Sequence, residues 1–246
     1  MTDPRELCSQ LADVALGLPE EAPVTDDLES FMTRQWNLDL TRAAGWMART
    51  IIQMSDQGMK ESWLVERALM ELVANQAVLN ENPANALRFS MEEHNSNWRI
   101  SEAMRTYSIG SQEERAAKAG ELDEAERLLR SHGLDPGSLN RKDFKPFGQT
   151  VRQRFEAAGL VPHYEVLYLV ASDYAHMNGR AVHHYLDRDS GEMAATGSLA
   201  ITTEFLIRSI RMANDKLAAG LEEEIDALEA EYTAGRSQGA YGVEPG

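Results

Sequence analysis

The sequence predicts an all-α protein, an irregular bundle of about seven helices, and three observations lead there. Ala, Leu, Glu, Met and Arg, which favour helix, are abundant. Only eight of the 246 residues are proline. Long alternations of Val, Ile and Thr, the mark of strands, are missing. With 43% hydrophobic residues, a chain of this length can bury a substantial core. The expected layout is a short N-terminal helix and linker over 1–24, one helical domain over 25–235, and a disordered tail over 236–246.

Residues 4–18, PRELCSQLADVALGL, read as the first helix, and Pro19 and Pro23 mark the linker after it. Thr25 is placed to cap the second helix, with Asp26 and Asp27 suited to the positive end of its dipole. That helix runs to about Gln57 and sets Phe31, Leu38, Leu40, Trp46, Met47 and Ile51 toward the core. Residues 60–80, KESWLVERALMELVANQAVLN, carry apolar side chains round nearly the whole wheel, as a helix with neighbours on several sides does. Arg67 and Glu71 interrupt this helix one turn apart.

A fourth helix follows Asn82-Pro83 and runs to about 108, before Gly110. Ser111 and Glu114 form a capping box for a charged, surface-lying helix up to Arg130. The stretch SLNRKDFKPFGQ, 138–149, is the locally basic loop, carries Phe144 and Phe147, and is read as a connection, with a lid over a site as the alternative. A helix over about 147–158 ends at Gly159, and one long helix is expected over 162–186, opened by Pro162. On that helix Leu167, Ala171, Tyr174 and Tyr185 share one side, bordered by a strip of Ser172, His176 and His183 with Asp173 beside them. The last helix is expected over 196–234, its second half acidic.

The net charge of −16 and pI of about 4.8 oppose broad binding to nucleic acid or anionic membrane, while leaving room for a small local basic pocket. Cys8 is the single cysteine, so no internal disulfide forms. The polar start MTDPRELCSQ lacks the pattern of a secretory signal, and no apolar run is long enough to span a bilayer, so a cytoplasmic setting is expected.

Buried charge must find a partner, which makes Arg67, Glu71, Asp173 and His176 a candidate catalytic constellation. Arg67 and Glu71 are expected to pair, and Glu71 or Asp173 to orient His176, an imidazole able to act as acid or base near neutral pH. The competing reading is a polar core that fixes how the helices meet. Asp173-x-x-His176, with His183 two turns on, also offers metal ligands, which Glu71, Glu92, Glu93 and His94 could supplement. No Glu-x-x-His occurs, so a cofactor-free centre is expected, with iron or another divalent metal as the alternative. Phosphate loops, a Gly-x-Ser-x-Gly elbow and paired Cys motifs are missing.

Three separated pieces carry a resemblance: Arg67-x-x-x-Glu71; Asn82-Pro83-x-x-Ala86-Leu87-Arg88-Phe89; and Tyr164-x-x-x-Tyr168-x-x-x-Ser172-Asp173-x-x-His176. Together, over roughly 25–215, they resemble an uncharacterised all-helical bacterial family, a domain of unknown function. The resemblance implies no activity but marks Arg67, Glu71, Arg88, Tyr168, Ser172 and His176 as positions to watch; Arg88, Tyr168 and Ser172, together with Tyr164 and His183, are the ligand-binding candidates. More distantly the chain resembles helical ribonuclease domains of toxin and phage-defence systems, which follow an Arg by a His four to six residues later on one helix. Arg88–His94 and Arg127–His132 have that spacing, which is frequent by chance, and His132 beside a helix-ending glycine is set aside. Two functional classes result: a binding or regulatory module taking a small anionic ligand or a protein partner, or an enzyme, either ribonuclease or metal-dependent oxidase. The acidic end of the last helix is read as a solvated face, with a homodimer surface as the alternative.

Overall fold

The computed structural model describes residues 3–25, 27–59, 61–131, 133, 135–142, 145–176 and 191–238. Helices α1 (Pro4–Gly17), α2 (Leu28–Asp56), α3 (Ser62–Glu81), α4 (Ala84–Tyr107) and α5 (Gln112–Ser131) come first. After them come a short turn α6 (Pro136–Leu139), α7 (Val151–Ala157), α8 (Val161–His163), α9 (Leu169–Ala175), α10 (Gly191–Leu217) and α11 (Glu222–Ser237). There is no strand among the described residues, and none of their helices is long and apolar enough to cross a membrane.

Two compact units share these helices. The larger comprises Met1–Pro83 and Val151–Gly246, and the smaller Ala84–Thr150. In the larger unit α1, α2, α3 and α10 pack against one another. Asp3 caps α1 through the amide of Arg5, and Pro4 occupies its first turn. Leu7, Leu11 and Ala15, each four residues apart, bury one face of α1 completely. This helix is therefore part of the core, where the sequence suggested an appendage. It can lie close to α2 because Gly45 has no side chain: a Cβ there would sit 3.1 Å from the Ala12 carbonyl oxygen.

Other boundaries differ from expectation for local reasons. Asp27, not Thr25, caps α2, accepting from the Ser30 amide at 2.9 Å, while Thr25 donates to the Asp27 carbonyl. Trp46 is 63% exposed and takes no part in the core. The helix expected over 196–234 is two helices, broken where Ala218 and Gly220 adopt left-handed backbone (φ 49° and 73°). Asn214 Oδ1 accepts from the Leu221 amide across the break, and Glu222, Glu223 and Glu224 occupy the first turn of α11. Arg211 then ties α10 to α11 through Asp226 and Glu229. The capping box at the start of α5 forms in full: the Glu114 amide donates to Ser111 Oγ and the Ser111 amide to Glu114 Oε2.

The core of the larger unit is not purely apolar. Gln76 of α3 shares its amide hydrogens among Asn37 Oδ1, Thr41 Oγ1 and the Ser209 carbonyl at 3.0–3.1 Å, and accepts from the Ser209 hydroxyl at 2.7 Å. Further along α3, the Ser62 and Ser198 hydroxyls meet at 3.0 Å. Between these contacts lies Glu66, fully buried, with no hydrogen-bond partner for either carboxylate oxygen among the described residues. Burial pushes its pKa from 4.5 to about 8. Cys8 lies near it, its thiol hydrogen-bonded to Thr203 and pushed by burial to about 12.

A group whose pKa rises on folding adds stability that is complete below its unfolded pKa and is lost as pH climbs through the folded value. Unfolding free energy from urea titrations should therefore fall between pH 4.5 and 8, with a slope from Glu66 approaching about 1.4 kcal/mol per pH unit. Glu66→Gln should remove that slope; an unchanged pH profile would show that the carboxyl does not titrate this way.

Candidate functional site

The Arg67–Glu71 spacing does produce an ion pair on α3, at 3.3 Å, with both side chains about one-quarter exposed. Tyr168 completes the group. Its hydroxyl donates to Glu71 Oε1 at 2.8 Å and accepts from Arg67 Nη2 at 3.1 Å. The Arg67 guanidinium also lies over the Tyr168 ring, 5.1 Å from its centre. Burial and the neighbouring Glu71 carboxylate both raise the Tyr168 pKa, so the phenol stays protonated and can donate.

The backbone behind Tyr168 is not the regular helix expected over 162–186. Tyr164–Tyr168 form a π-helical turn between α8 and α9. The turn brings the Tyr164 and Tyr168 rings into a stack at 5.2 Å, and both pack on the buried Phe155 ring of α7 at 5.5 and 5.2 Å. Buried Arg154 hydrogen-bonds Asn75 Oδ1, one turn after Glu71 on α3. Beside this cluster His163 Nε2 meets Glu204 Oε1 at 3.1 Å. Burial alone would raise the Glu204 pKa, but His163 and Arg208 outweigh it and hold the carboxyl at about 2.

Four of the candidates, Arg67, Glu71, Tyr164 and Tyr168, thus lie together. Ser172 is half-buried on α9. His176 is exposed in the turn after α9, so it is not the sealed imidazole expected against Glu71, and the hydroxyl of Tyr168 takes that position. α9 ends at Ala175, which leaves His176 in the turn beyond the helix rather than on its packed face. Asp173 belongs to α9, but its side chain lies outside the described residues, as does the whole of His183. Among the described residues no three His, Cys, Asp or Glu side chains gather as metal ligands.

Arg88 belongs to the smaller unit, where a second arrangement appears. The loop after α6 crosses α4 and is pinned there: Asn95 Nδ2 donates to the Leu139 and Arg141 carbonyls at 2.6 and 2.8 Å. Buried His94 donates through Nε2 to Asn140 Oδ1 at 3.0 Å, and Asn140 Nδ2 in turn donates to Glu126. The imidazole of the Arg88–His94 pair is therefore a structural tie, turned away from the exposed Arg88. Beyond the pin, Phe147 stacks on Phe89, rings 5.7 Å apart and 7° from parallel. Phe147 holds left-handed backbone (φ 55°), which costs a non-glycine residue roughly 1–2 kcal/mol. Beside it a hollow of about 400 Å³ is lined by Arg88, Met91, Lys145, Phe147 and Gly148. Arg88 makes one long bond, 3.4 Å to Asn85 Oδ1, and neither it nor Lys145 meets a carboxylate among the described residues.

Glu66 and Asn95 escaped the sequence reading, and the basic loop that holds Lys145 and Phe147 reads there as a connection. Glu66 alone left a local signal, since it lies on the same face of α3 as Ser62, Met70 and Val73, all buried.

If Tyr168 is a structural clasp, Tyr168→Phe should cost about 1 kcal/mol in urea unfolding. His176→Ala should stay within about 0.5 kcal/mol. A large loss at His176 would mean that its side chain is buried after all.

The chain belongs to a family of unknown function, DUF5677, matched over residues 42–193. No curated protein and no solved structure matches it.

Proposed function

We propose, from membership of a family without an assigned activity, that this protein is a helical binding module, and that the hollow beside Arg88 and Lys145 takes a small anionic ligand. The observation that carries this reading is the pair of cations that meet no carboxylate among the described residues, set over an aromatic floor in a chain of net charge −16. The charge is unevenly divided. Residues 84–150 hold ten Lys or Arg against eleven Asp or Glu, a net −1 that leaves −15 to the larger unit. A hollow of about 600 Å³ in that larger unit has Asp13 and Glu224 as its charged lining, the wrong sign for an anion.

The Arg67 centre supports binding less well, because its charges already satisfy one another. Its best role is a clasp that holds the π turn on α3. A ribonuclease reading through Arg88 and His94 loses its proton carrier, since His94 is buried and tied to Asn140.

Calorimetric titration with inorganic pyrophosphate at low salt tests the proposal. Binding should weaken at least about tenfold in Arg88→Ala/Lys145→Ala, the effect of losing one or two charge-assisted hydrogen bonds. Both side chains are exposed, so the variant should keep its fold, read by circular dichroism. Equal affinity in the double variant, or no binding by the wild type, would overturn the reading.

A further inference from the structure

We infer that α4 and the loop crossing it form a track for a short single strand of nucleic acid, an inference that rests on the anion-binding reading of the Arg88 hollow. A second hollow, of about 310 Å³, lies in the smaller unit on the other side of the Asn95 pin. Trp98, Arg99, Glu102, Thr106, Tyr107 and Lys142 line it. At 100° per residue, Arg88, Met91, Glu92, Asn95, Trp98, Arg99, Glu102 and Thr106 fall on one stripe of α4, Glu92 lining neither hollow. The two hollows are therefore successive stations along a single helix face, and one loop supplies a lysine to each: Lys145 to the first and Lys142 to the second.

The charge of the second hollow is also positive. Its one carboxylate, Glu102, accepts from the guanidinium of Arg105 through bonds of 3.1 and 2.6 Å and also feels the charge of Lys142, so with Arg99 the cations outnumber it. The chemistry of each hollow is thus two cations beside aromatic surface, Phe147 at one and Trp98 with Tyr107 at the other. Tyr107 is 74% exposed. A simple polyanion would need only the cations. Flat rings at both stations suit a ligand whose anionic groups alternate with aromatic ones, as phosphates and bases do in a single strand.

Length argues for a strand over a mononucleotide. Arg88 and Arg99 are eleven residues apart, about 16 Å along the helix, or about five stacked nucleotide steps of 3.4 Å. The near-neutral charge of the smaller unit makes such contact feasible, and the acidity of the whole chain limits it to low salt and to a short segment.

The test is fluorescence anisotropy of the full chain with end-labelled hexathymidylate and dithymidylate. The hexamer should bind at least about tenfold more tightly than the dimer, because only it reaches both stations. Trp98→Ala should weaken the hexamer about tenfold through one lost base stack and the dimer by no more than about twofold, since the first station still takes it. With four cations engaged, the logarithm of the binding constant should fall with the logarithm of salt with slope about −3. Arg99→Ala/Lys142→Ala changes exposed side chains only, and should lower that slope by about 1.4 should Trp98→Ala fail to fold. Equal binding of dimer and hexamer, or competition by a linear inorganic polyphosphate that matches the hexamer and ignores Trp98→Ala, would overturn the strand while leaving the pyrophosphate site standing. Failure of pyrophosphate and hexamer alike would remove both readings.

Discussion

A helix consumes most of its own backbone hydrogen bonds, so a polar side chain caught between helices draws mainly on other side chains and on the spare lone pairs of carbonyls. That constraint organises both units of this protein. In the larger one, the amide of Gln76 gathers Asn37 and Thr41 from α2 and Ser209 from α10, so three helices share one set of hydrogen bonds. In the smaller one, Asn95 catches two loop carbonyls and His94 catches Asn140. Apolar burial drives each unit together, but it is tolerant of sliding and rotation. The amides are not, because a shift of one residue would strand donors and acceptors in a dry interior.

The same rule separates the two candidate sites. Around Tyr168 the charges are mostly matched: Arg67 faces Glu71, the phenol bridges them, His163 and Arg208 balance Glu204, and buried Arg154 is held by the Asn75 amide. Such a cluster holds a shape. Around Arg88 and Lys145 the balance is open, and the strained Phe147 backbone is maintained by the ring stack on Phe89. A loop locked in an unfavourable conformation, with its cations turned to a hollow, has the character of a recognition surface.

Much of this was readable from residues close in sequence. Helical class follows from propensity, and the Arg67–Glu71 pair from a spacing of one turn. The Ser111–Glu114 box is as local, and all three stand in the structure. The position of His176 was not readable, because a wheel assumes an unbroken helix over 162–186, whereas α9 stops at Ala175 and His176 lies in the turn after it. Gln76 and Asn95 were missed for a different reason. Their partners lie 35–133 and 44–46 residues away, and no periodicity encodes a contact of that range. The Arg88 hollow shares this difficulty, since half of it belongs to a loop that in isolation reads as a mere connection.

Cys8 carries a last consequence. The chain's sole sulfhydryl sits at zero exposure under α2 and α10, in a medium that suppresses its thiolate. Alkylating reagents should pass over it while the bundle is closed and label it when α1 lifts away. The protein thus holds a built-in clock for opening of its N-terminal helix, and a cysteine introduced anywhere on its surface could be tagged without touching the native one.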